Sequence, residues 1–343
     1  LCPPGTWQPY DGASSVSDCQ DCEAGKYTDD FGNSFCADCA AGRYQPSQGG
    51  NGCPPCDEGK SSGVGASTCS GIFIRHILPD KGPTKGNVTV MLVGTKLEES
   101  HAFVGSELCS DVFSNSTHLT CTVPAGTGKN LPIKVVKNDG SGELVYEDGW
   151  SYNVPWISSV SGCEDFVVVN SDGSTSTETY KTGNCPTTGK GVAGHPKVLT
   201  ISGEDFGDDL STISVTVGDG ACNHLELDVA HERLKCRLPT GTGERVGVKI
   251  KVNEQVRNRN YLSYARPVVH AVSGCVDGDD ATYDCPRSGK AIIKVKGKNF
   301  GPFQPIIMIG GEVCQRNATL PYDQVVQEEV QCVLPAGSGS LKG

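Results

Sequence analysis

Eighteen cysteines are the most reactive side chains in this 343-residue chain, and their spacing decides between two chemistries, metal ligation and cross-linking. Eight fall within the first seventy positions: Cys2, Cys19, Cys22, Cys36, Cys39, Cys53, Cys56 and Cys69. Cys22, Cys39 and Cys56 recur every 17 residues, and Gly25, Gly42 and Gly59 keep the same period. Cys19-Gln-Asp-Cys22 followed by Cys36-Ala-Asp-Cys39 approaches the paired-cysteine spacing of a zinc ribbon. Two such sites would need all eight thiolates, yet Cys2 and Cys69 have no partner at ligand-pair spacing. Units this short bury too little apolar surface to offset chain entropy, so cross-links must replace a core. The spacing favours closure within each unit, Cys2 with Cys19, Cys22 with Cys36, Cys39 with Cys53 and Cys56 with Cys69, out of about 105 possible connectivities. The ten cysteines beyond residue 70, in strand-rich sequence, also suit an oxidising compartment.

Other chemistry is sparse. The seven histidines (His76, His101, His118, His195, His224, His231 and His270) show no His-x-x-x-His or His-Glu-x-x-His spacing and read as surface or strand residues. There is no Gly-x-Ser-x-Gly elbow, phosphate-cradling loop or dinucleotide fingerprint, so neither an enzyme nor a bound cofactor is expected. Asp277 to Asp284 and Asp205 to Asp209 offer oxygen ligands without the order of an EF-hand, and acidic turns explain them without a metal. Trp7, Trp150 and Trp156 are candidate sugar-stacking rings, but Trp150 ends one module and Trp156 opens the next, which favours domain packing for these two. Three sequons, Asn87-Val-Thr89, Asn115-Ser-Thr117 and Asn317-Ala-Thr319, offer sites for covalent glycans on a secretory route. A net charge of −11 without a run of five basic residues argues against nucleic acid. No stretch of 18 apolar residues is present to span a bilayer. The opening at Leu1, directly before a cysteine module, suggests a processed or partial chain.

Forty-four glycines, twenty prolines and few helix-length periodic segments favour an all-β chain. From residue 71 one grammar recurs three times. A glycine at the end of a strand has a large apolar residue three places on: Gly94 and Leu97, Gly203 and Phe206, Gly297 and Phe300. A second strand closes in Val104-Gly105, Val217-Gly218 or Ile309-Gly310, with Cys109, Cys222 or Cys314 four residues later. A third strand ends in Cys121 to Pro124, Cys236 to Pro239 or Cys332 to Pro335, followed by the Gly-x-Gly turns that begin at Gly126, Gly241 and Gly337. Coincidence at five landmarks marks tandem repeats. Alternation such as Val88, Val90 and Leu92 against Thr89 and Met91 sends one face into a core, and each unit reads as a two-sheet antiparallel sandwich. Cys109 with Cys121, Cys222 with Cys236 and Cys314 with Cys332 would staple neighbouring strands. Asn153-Val-Pro-Trp156 and Ala265-Arg-Pro267 make short, stiff junctions.

The units Cys2-Pro-Pro-Gly-Thr6, Cys22-x-x-Gly-Lys-Tyr27, Cys39-x-x-Gly-Arg-Tyr44 and Cys56-x-x-Gly-Lys-Ser61 resemble the cysteine-rich repeat of ephrin receptors. That resemblance implies a disulfide-stapled stalk over residues 1–70. The repeats resemble immunoglobulin-like, plexin, transcription-factor (IPT or TIG) domains, whose Gly-Pro-x-x-Gly opening stands here as Gly82-Pro-Thr-Lys-Gly86. The resemblance implies IPT domains at 71–154, 155–266 and 267–343, the third lacking its last strands. The later copies read Cys185-Pro-Thr-Thr-Gly189 and Cys285-Pro-Arg-Ser-Gly289, and their departure from the opening implies two added disulfides, Cys163 with Cys185 and Cys275 with Cys285. The expected function is a non-catalytic structural glycoprotein, secreted or on the cell surface, that joins copies of itself or other modular proteins into a filament by donating strands to the third sandwich. The alternative is a ligand-binding or adhesion stalk in a plexin-like receptor ectodomain.

Overall fold

The computed structural model describes residues 1–9, 15–57, 60, 62–69, 71–169, 174–316 and 327–338. The chain divides into two compact units, Leu1–Asn153 and Val154–Gly343. In the first, residues 1–69 hold two-residue strand pairs, Thr6–Trp7 with Gln20–Asp21 and Lys26–Tyr27 with Ala37–Asp38, and the isolated bridge between Arg43 and Pro55. The 17-residue period becomes a hydrogen-bond period: Cys39 N–H donates to the Gly25 carbonyl and Cys56 N–H to the Gly42 carbonyl, each at 2.9 Å. Cys22 N–H makes the equivalent bond to Gly5. Among the described apolar side chains up to residue 69, only Cys2, Cys22 and Cys39 are buried. The cross-links are the core here.

The rest of the first unit is a sandwich. One sheet runs in the order Ser110–Ser114, His118–Val123, Val88–Thr95, Phe73–Leu78. The facing sheet runs Lys81–Gly82, Glu143–Tyr152, Leu131–Lys137, Ser100–Val104, Glu107–Leu108. Val90, Leu92, Leu119, Ile133 and Val135 alternate inward from both sheets, as period-2 burial requires. Trp150 is fully buried among them and stacks edge-on to Tyr152 with ring centroids 5.9 Å apart. It is a core residue of its own sandwich, a correction to the expected packing between domains.

The second unit contains two further bodies. The first of these pairs a four-stranded sheet (Trp156–Ser161, Val198–Glu204, Arg233–Arg237, Asn223–Val229) with a six-stranded one. The larger sheet runs Glu164–Val169, Thr175–Cys185, Gln255–Tyr264, Val246–Val252, Ile213–Val217, Gly220–Ala221. Its edge hairpin, Glu164–Val169 with Thr175–Cys185, is an addition that the repeat grammar does not announce. In the last body the described residues form a five-stranded sheet in the order Val268–Ser273, Ile292–Lys298, Glu329–Val333, Glu312–Arg316, Ile307–Ile309. Its buried cluster has six residues against eighteen in the second sandwich. Thr282–Tyr283 and Val276–Asp277 form a small separate hairpin.

In the first two copies the Gly-x-Gly landmark has a steric cause, whereas a Cβ at Gly337 in the third would meet no atom of the described residues within 4 Å. Tyr152 lies across Gly126 and donates its hydroxyl hydrogen to the Pro124 carbonyl at 2.8 Å, and Tyr264 lies across Gly241 and donates to Pro239 at 3.0 Å. A Cβ at either glycine would strike the ring. Burial pushes the Tyr264 phenol well above its ordinary range, so the donor keeps its proton. Tyr264→Phe is expected to cost about 1 kcal/mol in denaturant melting, the net worth of one such hydrogen bond.

Candidate functional site

Nine disulfides join all eighteen cysteines. In the N-terminal region Cys2 meets Cys19, Cys22 meets Cys36, Cys39 meets Cys53 and Cys56 meets Cys69, with Cα separations of 5.6 to 5.7 Å. Cys109 sits where the chain passes from one sheet to the other. Its N–H still bonds the Ala102 carbonyl of the sheet that holds Ser100–Val104, while its sulfur joins Cys121 in the sheet that holds His118–Val123. Cys222 repeats this, bonded to Val215 through its N–H and to Cys236 through sulfur. These two bonds therefore tie sheet to sheet, rather than only strand to neighbouring strand. Cys314 joins Cys332 within one sheet. Cys163–Cys185 and Cys275–Cys285 each close the base of a hairpin.

The acidic loops are occupied by their own turns. Asp277 Oδ1 accepts from Gly274 N–H at 2.7 Å and Thr282 Oγ1 at 2.8 Å, and these donors hold its carboxyl below the usual range. Asp209 accepts from the Ser211 hydroxyl and Ser211 N–H, with the same effect. Among the described residues no cluster of three or more His, Cys, Asp or Glu side chains could hold a metal ion. The histidines stay apart: His101 Nδ1 meets Asn138 Oδ1 at 2.9 Å and His118 Nδ1 meets the Thr117 hydroxyl at 2.8 Å. An open trough of about 550 Å³ along Phe303–Ile307 and Val313–Arg316 has, among the described residues, Arg316 as its one titratable wall residue, its cysteines being oxidised. That leaves no acid and base pair for proton transfer.

Trp156 is 42% exposed, and the guanidinium carbons of Arg257 and Arg259 lie 5.0 and 4.1 Å from its ring centroid. Arg257 also donates through Nε to the Pro155 carbonyl at 3.2 Å, so the indole packs against arginines of its own unit. Trp7 is half-buried in a two-residue strand. In the sequons, Asn87 and Asn115 are exposed, while Asn317 lies outside the described residues, as do Gly59 and Gly339. Asn115 Oδ1 accepts from the N–H groups of Thr117 and His118, which shapes the turn that displays it. Glycans at Asn87 and Asn115 would project from opposite ends of the His118–Val123/Val88–Thr95 strand pair. Treatment with an N-glycosidase is expected to lower the mass of the secreted protein and convert both asparagines to aspartate, read by peptide mass mapping.

The fold defines a class, an all-β chain of immunoglobulin-like sandwiches behind a disulfide-rich N-terminal region. Residues 73–154 and 186–265 match the IPT/TIG domain. These segments coincide with the first sandwich and with the second from just after Cys185, which leaves the added hairpin outside the match. IPT/TIG domains are non-catalytic modules. Mouse fibrocystin-L is 33% identical over 97 residues, which covers 24% of this chain and 2% of that protein. The chain therefore spans a small fraction of the curated relative it matches. Among solved structures, the surface glycan-binding protein PbSGBP-B from Prevotella bryantii aligns over 55% of this chain and 41% of its own, at 12% identity and a TM-score of 0.34. The full extracellular region of plexin A4 aligns over 79% of this chain and 21% of its own, at 14% identity and a TM-score of 0.26. At that level neither structure carries an argument about ligands. Complete cysteine pairing is in keeping with an extracellular or cell-surface setting.

Proposed function

We propose that this chain is a non-catalytic spacer and adhesion segment in the ectodomain of a large modular cell-surface protein. In it, ephrin-receptor-like repeats over residues 1–70 lead into IPT/TIG sandwiches. The observation that carries the reading is that the first two sandwiches are each closed from within, by a disulfide that ties sheet to sheet and by a tyrosine lock, and that the N-terminal units are closed by their own disulfides. Within the second unit the junction is braced as a spacer requires. Asn299 Nδ2 donates to the Arg266 carbonyl at 3.2 Å, and Arg266 pairs with Glu244 at 2.6 Å. The IPT/TIG match and the fibrocystin-L similarity favour this ectodomain reading over a filament subunit.

The test is localisation with assembly state. Antibodies raised against residues 1–154 are expected to label intact, unpermeabilised cells along the plasma membrane, and the secreted 343-residue chain is expected to sediment as a monomer. Labelling confined to regular fibres, with concentration-dependent polymerisation of the purified chain, would replace the proposal with the filament.

A further inference from the structure

The strand Ile292–Lys298 places Lys294, Lys296 and Lys298 on one exposed face, while Ile293, Val295 and Gly297 between them are buried. Same-face side chains leave a strand roughly 6.7 Å apart, so the three lysines are rooted in a regular row. Aligned on the landmark glycine, the equivalent positions are Met91, Val93 and Thr95 in the first sandwich and Thr200, Ser202 and Glu204 in the second. The scaffold therefore does not require lysine there, and the row is peculiar to the last sheet. In a chain of net charge −11, three lysines have been brought together with none of them in an ion pair among the described residues.

The neighbours leave the row open. On one side Ala271 and Ser273 lie opposite Lys296 and Lys294, both short. On the other, Gln331 lies opposite Lys294 and Glu329 opposite Lys296. Glu329 is the acid directly across the row, and its Oε1 accepts from Gln331 Nε2 at 2.9 Å instead of from the lysine. Asp277 feels Lys294 but is held by Gly274 and Thr282. Lysine presents a compact, rotatable point charge and no fork, which suits a flexible partner whose anionic groups recur along a line.

We infer that this lysine row is a binding track for a linear acidic polysaccharide, its charges being sulfate or uronate groups. The disulfides place the row in an oxidising compartment, where such polymers are available and nucleic acids are not the expected polyanion. The inference shares the extracellular setting of the proposed function. Surface labelling reads the location without any polysaccharide, so the two can fail separately.

Binding of the full chain to immobilised heparin, a sulfated polymer, and to hyaluronan, which carries carboxylates alone, is measured at physiological ionic strength. The exposed-residue variant K294S/K296S/K298S is expected to bind about tenfold more weakly, each exposed ion pair contributing modestly, with an unchanged melting curve. E329Q is expected to bind more tightly than the parent, and K249S/K251S, which removes two exposed lysines of the second sandwich, to bind as the parent does. Binding of heparin but not hyaluronan would assign sulfate as the recognised group, and binding of both would assign uronate as sufficient. An unchanged affinity in the triple variant overturns the inference. So does a parent chain that binds neither polymer but instead binds phosphatidylserine vesicles or a second copy of itself.

Discussion

Gly203→Ala is expected to destabilise the second sandwich by about 3 kcal/mol, a large effect for one methyl group. The cause is close approach. A Cβ on Gly203 would run into the carbonyl of Trp156 on the neighbouring strand and also meet the ring of Phe206 at 2.6 Å. The pairing of Trp156–Ser161 with Val198–Glu204 shifts register between Ile157 and Ser159, and the bulge presses the Trp156 carbonyl toward the glycine. The same collision recurs at Gly94 with Phe73 and at Gly297 with Val268, each beside a register shift in its own sheet. Phe206 is fully buried, so the ring cannot retreat into solvent. Denaturant melting of Gly203→Ala should lower the midpoint and leave the slope unchanged. Gly191→Ala is the control, since the atoms around its added Cβ stand 3.6 Å or more away. Equal melting of the two variants would show that the bulge yields and that the landmark glycine has another cause.

That result would also explain why the repeat was legible at all. In the first two sandwiches the landmarks visible in the sequence are residues that the fold constrains: the bulge glycine, the glycine beneath the tyrosine ring, and the cysteine that cross-links the passage between sheets. They recur because geometry fixes them, and the strands between them are free to vary. The features that were not legible depend on contacts across strands. Trp150 reads as a linker residue because it stands just before Asn153-Val-Pro155, yet Gly82, on the strand paired beside it but far from it in sequence, makes room for its ring inside the core. The hairpin Glu164–Cys185 combines an apolar run with a serine- and threonine-rich return strand, and neither half shows the alternation of a half-buried strand. The lysine row escapes a search for contiguous basic residues because period 2 interleaves it with Ile293, Val295 and Gly297.

Reduction should separate the chain into parts of different stability, with the largest change at its N-terminal end. The four bonds there close separations of 13 to 17 residues, each worth about 3 kcal/mol on a chain-entropy account. Together they approach about 12 kcal/mol, comparable with the whole stability of a typical domain. Among the described residues up to 69 there is no apolar cluster that could stand in for them, since the buried apolar side chains there are cysteines. The first sandwich loses one disulfide and keeps a buried cluster that includes Trp150, Leu92, Leu119 and Ile133. In a reductant, trypsin is therefore expected to cut rapidly after Lys26 and Arg43 while residues 71–154 persist as a resistant fragment. Without reductant the same sites should survive, because Lys26 lies in a strand pair and Arg43 in a bridge, with its Nη1 on the Cys53 carbonyl at 2.7 Å. A chelator should have no effect on either pattern. If chelation alone exposed Lys26 and Arg43, the cysteines would be holding a metal, and the pairing of all eighteen as disulfides would have to be abandoned.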